Sequence, residues 1–140
     1  MPTRKGNAQW NGDLKGGNGT VAFGSFTGPY TFQSRFEEGD GTNPEELLGA
    51  AHAGCYSMAL SNMLAQAGHT PTSVKTTAQV ALEVGPDGAF ISGIELQCVA
   101  EVPGIESGDF AEIAEKAKEG CPVSKALSAT PISLFFELVS

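Results

Sequence analysis

The stretch Thr42-Asn43-Pro44-Glu45-Glu46-Leu47-Leu48-Gly49-Ala50-Ala51-His52-Ala53-Gly54-Cys55-Tyr56-Ser57-Met58-Ala59-Leu60 opens the longest helix in the sequence, and its reading decides the fold. Thr42 offers an N-cap hydroxyl. Pro44 sits in the first turn, where its missing N–H costs nothing, and Glu45 follows Thr42 by three residues, as in a capping box. From there to Ala67, apolar and small residues such as Leu47, Leu48, Ala51, Met58, Leu60, Met63 and Leu64 occupy several faces. A helix apolar over so much of its circumference is the buried centre of a core. Gly68 then stops it at the C′ position.

Before this helix the sequence predicts short strands with glycine-rich turns: Ala8-Gln9-Trp10, then Thr20-Val21-Ala22-Phe23, then Tyr30 to Phe36. In the last stretch Tyr30, Phe32 and Phe36 alternate with polar residues as on a half-buried strand. These three pieces make a small antiparallel meander. After the helix come strands from about Ser73 to Glu83 and Ala89 to Val102, joined by the hairpin signal Gly85-Pro86-Asp87-Gly88. A second helix runs from about Asp109 to Lys118, with Phe110, Ile113, Ala114 and Ala117 on one face. Ser107 or Asp109 caps it and Gly120 ends it. Cys121-Pro122 opens a short helical turn through Leu127, and Pro131 to Val139 closes the chain as an apolar strand. The order βββ-α-ββ-α-α-β predicts an α+β fold, antiparallel sheets around a long buried central helix. At 140 residues, without repeat or linker, residues 1–140 read as a single domain.

Composition narrows the function. Eight Lys and Arg stand against 16 Asp and Glu, a net charge of −8, with no basic cluster for a phosphate backbone or an anionic bilayer. Neither nucleic acid nor membrane is an expected partner. The N-terminal Met1-Pro2-Thr3-Arg4-Lys5-Gly6 leads into no apolar run, and no stretch approaches the ~18 apolar residues of a membrane span. A cytoplasmic protein is expected. There the three cysteines, Cys55, Cys98 and Cys121, are packed, redox-active or metal-binding rather than a disulfide framework.

Their positions differ. Cys55 lies midway along the buried helix, either as a packed core thiol or as a reactive one. Its neighbours Ala50, Ala51, Ala53 and Gly54 leave space beside the sulfur, and His52 is one turn away as a base, a hydrogen-bond partner or a plain core histidine. Cys121 precedes Pro122 at the start of a helical turn, where the dipole and free N–H groups favour a thiolate. Cys98 lies within a strand and reads as packing. A reactive thiol needs a cation, and Arg35 stands out among the few. Glu45 or Glu46 is placed to grip its guanidinium as a bidentate pair. Glu45 and Cys55 are ten residues apart, roughly 15 Å along one helix, so either a long Arg35 bridges part of the gap or the groups converge from two subunits; a buried helix rich in small residues suits the second, an intertwined homodimer.

Four stretches together carry a resemblance over essentially the whole chain: Arg35-Phe36-Glu37, Gly41-Thr42-Asn43-Pro44-Glu45-Glu46-Leu47, Ala50-Ala51-His52-Ala53-Gly54-Cys55 and Gly120-Cys121-Pro122-Val123-Ser124. In this order and spacing the sequence resembles the osmotically inducible protein/organic hydroperoxide resistance (OsmC/Ohr) family. The family's other branch carries its arginine in an N-terminal glycine-rich loop. Gly12-Asp13-Leu14-Lys15-Gly16-Gly17 has none here, so Arg35 fits the osmotically inducible branch.

The resemblance implies an α+β homodimer with interfacial active sites. It also implies a stress-response peroxidase for organic hydroperoxides, and for hydrogen peroxide as well, without metal or other cofactor and recharged by an external dithiol. By matching motif, Cys55 is the peroxidatic and Cys121 the resolving cysteine, Arg35 holds the thiolate and Glu45 aims Arg35. His52, Phe36 and Glu46 would face the substrate. The alternative is a non-enzymatic module whose apolar dimer cleft takes a lipid-like ligand, its thiols inert. A zinc site from His52, Cys55, Cys121 and His69 lacks paired-ligand spacing, and a Cys–His hydrolase lacks an Asn or Asp to orient His52.

Overall fold

The computed structural model describes residues 1–139. The chain divides after Leu47 into two compact units.

In the first unit, β1 (Asn7–Asn11), β2 (Asn18–Phe23) and β3 (Phe26–Tyr30) form an antiparallel meander in chain order. Trp10 and Tyr30 pack across it with ring centroids 5.2 Å apart. Gly19 makes this possible, because a Cβ there would stand 2.5 Å from the Tyr30 ring and 2.6 Å from that of Trp10.

The Tyr30–Phe36 stretch corrects the expectation of a strand. The strand ends at Tyr30, and Phe32–Phe36 is a short helix, α1. Thr31 is the reason: its hydroxyl accepts the Ser34 N–H at 3.1 Å, while Ser34 Oγ accepts the Thr31 N–H at 2.8 Å, a reciprocal cap. Phe32 and Phe36 are then one helical turn apart, with centroids 4.9 Å apart. The four-residue spacing of that pair outweighs the local alternation.

The central helix α2 runs Pro44–Gln66. Its cap is Asn43, not Thr42: the Glu46 N–H donates to Asn43 Oδ1 at 2.7 Å, and the Thr42 hydroxyl donates to Glu46 Oε1 at 2.9 Å. Proline at the first helical position leaves the residue before it as the cap.

The second unit is built on a three-stranded sheet in the order β4-β5-β6. β4 (Ser73–Gly85) and β5 (Gly88–Glu101) form the predicted hairpin, with Gly88 at φ 113°. β6 (Ile132–Val139) pairs with β5 in parallel, which corrects the expectation of antiparallel pairing throughout. Here α3 (Ser107–Gly120) and α4 (Pro122–Ala126) return the chain to the start of the sheet, the crossover that a parallel pair requires. The α3 cap is Glu106, without a side-chain cap bond, so neither Ser107 nor Asp109 serves.

On β5, Ile94, Leu96, Cys98 and Ala100 face the core at a period of two, followed by Val102. They meet Phe110, Ala114 and Ala117 of α3 and one stripe of α2, Tyr56, Leu60 and Leu64, spaced by four. Cys98 is 2% exposed, a packed core thiol. Gly49 lets α2 approach β4 closely, and Ser57 Oγ lies 2.7 Å from Thr76 Oγ1. Besides that stripe, α2 buries Glu45, Gly49 and His52 within one chain. Ala50, Ala51, Gly54 and Met58 remain exposed, Met58 at 76%.

Candidate active site

The predicted residues form two constellations, one in each unit. In the second unit Cys55 and Cys121, 66 positions apart in sequence, are free thiols with their sulfurs 2.8 Å apart. Cys55 presents a partly exposed thiol from α2, whereas Cys121 is fully buried. Cys121 is the joint between α3 and α4, at φ −60° and ψ 124°. Pro122 disfavours helical geometry in the residue before it, so the chain breaks at the cysteine and restarts with the thiol over the new helix.

The two thiols titrate as a pair. Burial raises Cys55, and its bond with Cys121 raises it further against a smaller opposing pull from the Val123 N–H. Burial pushes Cys121 up too, but the bond with Cys55, the N–H groups of Ser124 and Val123 and the Ser124 hydroxyl outweigh it and leave it below its ordinary value. The surroundings thus push the two thiols of the pair in opposite directions, Cys55 up and Cys121 down.

His52, also on α2, is completely buried, with Nε2 2.7 Å from Ser124 Oγ. Burial lowers its pKa and keeps the ring neutral. It has no exposed surface in the subunit with which to meet a substrate, so its chemistry is directed at Ser124.

In the first unit Arg35, in the last turn of α1, grips Glu45, in the first turn of α2, by two parallel bonds: Nε to Oε1 at 3.0 Å and Nη2 to Oε2 at 2.8 Å. The Glu45 side chain is 8% exposed and that of Arg35 34%. The bond to Glu45 chiefly raises the arginine pKa, so the guanidinium is permanently charged. Phe36 lies under it, with Cζ 5.3 Å from the ring centroid. Glu46 does not join the pair, being held by the Thr42 hydroxyl. Trp10, Leu14, Tyr30, Phe32, Arg35 and Phe36, with Thr31, line a cavity of about 220 Å³, an apolar cup with one cation.

The sequence reading named neither Trp10 and Leu14 for this cup nor Ser124 for the cysteine site. Trp10 is brought over Tyr30 by strand register, which no local pattern announces. Ser124 had a signal, a hydroxyl three residues after a cysteine at a helix start. Among the described residues no three His, Cys, Asp or Glu side chains gather as a metal site, and no helix is long and apolar enough to cross a membrane.

The chain is similar to known proteins over most of its length. A family model described as OsmC-like protein matches residues 37–135. Peroxiredoxin OsmC of Escherichia coli (strain K12) is 52% identical over 140 residues, covering 98% of this chain and 97% of that protein. The organic hydroperoxide resistance protein of Xanthomonas axonopodis pv. citri is 34% identical over 89 residues, 63% of this chain and 61% of its own. The crystal structure of an OsmC-like protein from Mycoplasma pneumoniae superimposes with a TM-score of 0.78 at 19% identity, covering 99% of both chains. OhrB of Bacillus subtilis gives 0.67 at 23%, covering 96% of this chain and 97% of its own. With the near full-length identity and the shared α+β fold, the chain belongs to the OsmC-like protein family.

Proposed function

We propose that this protein is a thiol-dependent peroxidase of the oxidative and osmotic stress response, reducing organic hydroperoxides, and hydrogen peroxide besides, through a Cys55 sulfenic acid and a Cys55–Cys121 disulfide. The observation that carries the reading is the sulfur pair: two free thiols 2.8 Å apart, one reachable from solvent and one not. A peroxide can reach only the first. Cys55 thiolate attacks the distal oxygen, the O–O bond breaks, and alcohol leaves after taking up a proton. Cys121 then displaces the hydroxyl as water. A disulfide needs the sulfurs about 2.05 Å apart, so closure is a further approach of roughly 0.8 Å, within the reach of side-chain rotation. An external dithiol restores both thiols by exchange.

Arg35 supplies the cation that Cys55 lacks in its own unit, aimed by Glu45, and the aromatic cup carrying Arg35 and Phe36 takes the apolar part of an organic peroxide. In this reading His52 acts through its buried bond to Ser124, and Glu46 fixes the helix start; neither touches the peroxide. The site is assembled by a homodimer, in which Arg35 and Cys55 converge from two subunits. The exposed small-residue face of α2, with Met58, and the exposed Phe135 support a partner surface. The protein acts in the cytoplasm without metal or other cofactor.

Intact mass after one equivalent of cumene hydroperoxide tests the cycle. Wild type should lose two hydrogens, and Cys121→Ser should gain one oxygen at Cys55. Cys55→Ser should show neither change. An unmodified wild-type mass would end the peroxidase reading and favour a binding module with inert thiols.

A further inference from the structure

The contact between the two sulfurs lies in a ladder of three that ties the middle of α2 to the α3–α4 segment. His52 Nε2 lies 2.7 Å from Ser124 Oγ, Cys55 Sγ lies 2.8 Å from Cys121 Sγ, and the Tyr56 hydroxyl donates to the Ala114 carbonyl at 3.1 Å. Along α2 the positions rise through His52, Cys55 and Tyr56, while on the facing segment they fall through Ser124, Cys121 and Ala114. The two segments therefore meet in opposite chain directions, with a polar bond before the sulfur pair and another after it.

Both flanking bonds are dry. His52 and Tyr56 have no exposed surface, and Ser124 is 5% exposed. Water cannot replace a lost partner there, so shifting α2 against the facing segment leaves a buried polar group unmet. Each bond also has a fixed direction. Nδ1 of His52 finds no hydrogen-bond partner among the described residues. A proton on Nδ1 would bury a donor unmet, whereas a proton on Nε2 leaves only an acceptor lone pair unmet, the smaller penalty. Nε2–H therefore donates to Ser124 Oγ. The Ala114 carbonyl, although inside a helix, has a second lone pair for the Tyr56 hydroxyl. A thiol is a weak donor and a weak acceptor, so the sulfur contact does not hold the helices by itself. The bonds on either side of it are the stronger restraints.

We propose that the His52–Ser124 and Tyr56–Ala114 bonds form a two-point clamp that holds the reduced sulfurs at closing distance, which makes His52, Ser124 and Tyr56 positioning residues for disulfide formation. The clamp deepens the peroxidase reading, on which its use in turnover rests. In the closing step the Cys121 sulfur attacks the sulfur of the Cys55 sulfenic acid. The S–S bond forms, the S–O bond breaks, and the hydroxyl leaves as water with the proton given up by the Cys121 thiol. The peroxide has already supplied the oxidation, so no second oxidant is needed. Because the sulfurs are brought together when the chain folds, closure has little ordering left to do.

The test measures the effective concentration of the Cys55–Cys121 pair from its equilibrium with oxidised and reduced glutathione, in a Cys98→Ala background. One oxidised glutathione takes up the two protein thiols as a disulfide and is released as two reduced molecules. Tyr56→Phe and Ser124→Ala each remove a single oxygen atom. Each should lower the effective concentration about fivefold, the worth of one neutral hydrogen bond. A bond that only stabilised the fold would support the dithiol and the disulfide equally and leave that value unmoved. His52→Gln, which keeps an N–H near the Nε2 position, should stay close to the parent, while His52→Leu should fall as Ser124→Ala does. An effective concentration unchanged in either Tyr56→Phe or Ser124→Ala overturns the clamp, as does an equal loss in His52→Gln and His52→Leu. The equilibrium involves no peroxide, so the expected losses in a protein inert to cumene hydroperoxide would uphold the clamp and sink the peroxidase reading.

Discussion

Replacing Glu45 with Gln keeps the shape of the side chain and removes one acceptor oxygen together with the charge. The native pair has two parallel bonds, 3.0 and 2.8 Å long, to a carboxylate that is 8% exposed. In the variant one guanidinium N–H faces an amide NH₂, donor against donor, and the fork can no longer close. Hydrogen bonds to charged groups contribute about 1.5–3 kcal/mol. Arg35 is about one-third exposed, so water replaces part of the loss and the lower figure, about 1.5 kcal/mol, applies. If the aim of the guanidinium is used fully in the transition state, that energy corresponds to about a tenfold drop in kcat/KM, at 1.36 kcal/mol per tenfold. The assay is hydroperoxide consumption with a dithiol reductant for wild type, Glu45→Gln, Arg35→Ala and the double variant, with circular dichroism as a check on folding. A residue that acts only by aiming Arg35 has nothing to do once Arg35 is gone, so the double variant should match Arg35→Ala. Additive losses, or full activity in Glu45→Gln, would refute the reasoning.

Three further outcomes follow from the geometry. Phe36→Ala and Trp10→Ala open the apolar cup and should raise KM for cumene hydroperoxide several-fold while leaving that for hydrogen peroxide little changed, as initial-rate kinetics would report. Cys98→Ala should lower stability by about 1 kcal/mol in urea unfolding yet leave the mass changes of the peroxide cycle intact, because the thiol is buried and serves only packing. His52 is held neutral, so below its unfolded value near 6.5 the unfolded chain binds a proton that the folded one refuses. Its contribution to stability is therefore complete above that pH and declines below it, by at most about 1.4 kcal/mol per unit, and His52→Gln should flatten that slope in thermal melts from pH 7 to pH 5.

The central helix was legible because its signals are local: a proline-led start, a dense apolar run and a glycine stop. The hairpin at Pro86-Asp87 was legible for the same reason. Where the reading failed, a second local signal or a distant partner decided. Thr31 and Ser34 turn Phe32–Phe36 into helix through two hydrogen bonds that alternation of aromatic residues cannot reveal. The parallel pairing of β6 with β5 depends on how α3 and α4 route the chain, which apolar character alone does not encode. At the site, the charged pair was readable in outline from Arg35 and the two glutamates, but the choice of Glu45 over Glu46 is made by Thr42, whose hydroxyl holds Glu46. The meeting of Cys55 with Cys121 joins residues 66 positions apart, and it came from the family resemblance rather than from any local pattern.

In the proposed cycle, the unequal burial of the two sulfurs also fixes how the oxidised protein is recharged. Exchange requires the incoming thiolate in line with the S–S bond, and only the Cys55 end of that bond can be approached from solvent. The reductant therefore becomes linked to Cys55, never to Cys121, and the sulfur expelled is the one whose anion its surroundings already favour, which is the faster leaving group. Reaction order and regiochemistry thus come from a single difference in depth. A Cys121→Ala protein, oxidised and then offered a monothiol, would carry the adduct at the same atom that first met the peroxide.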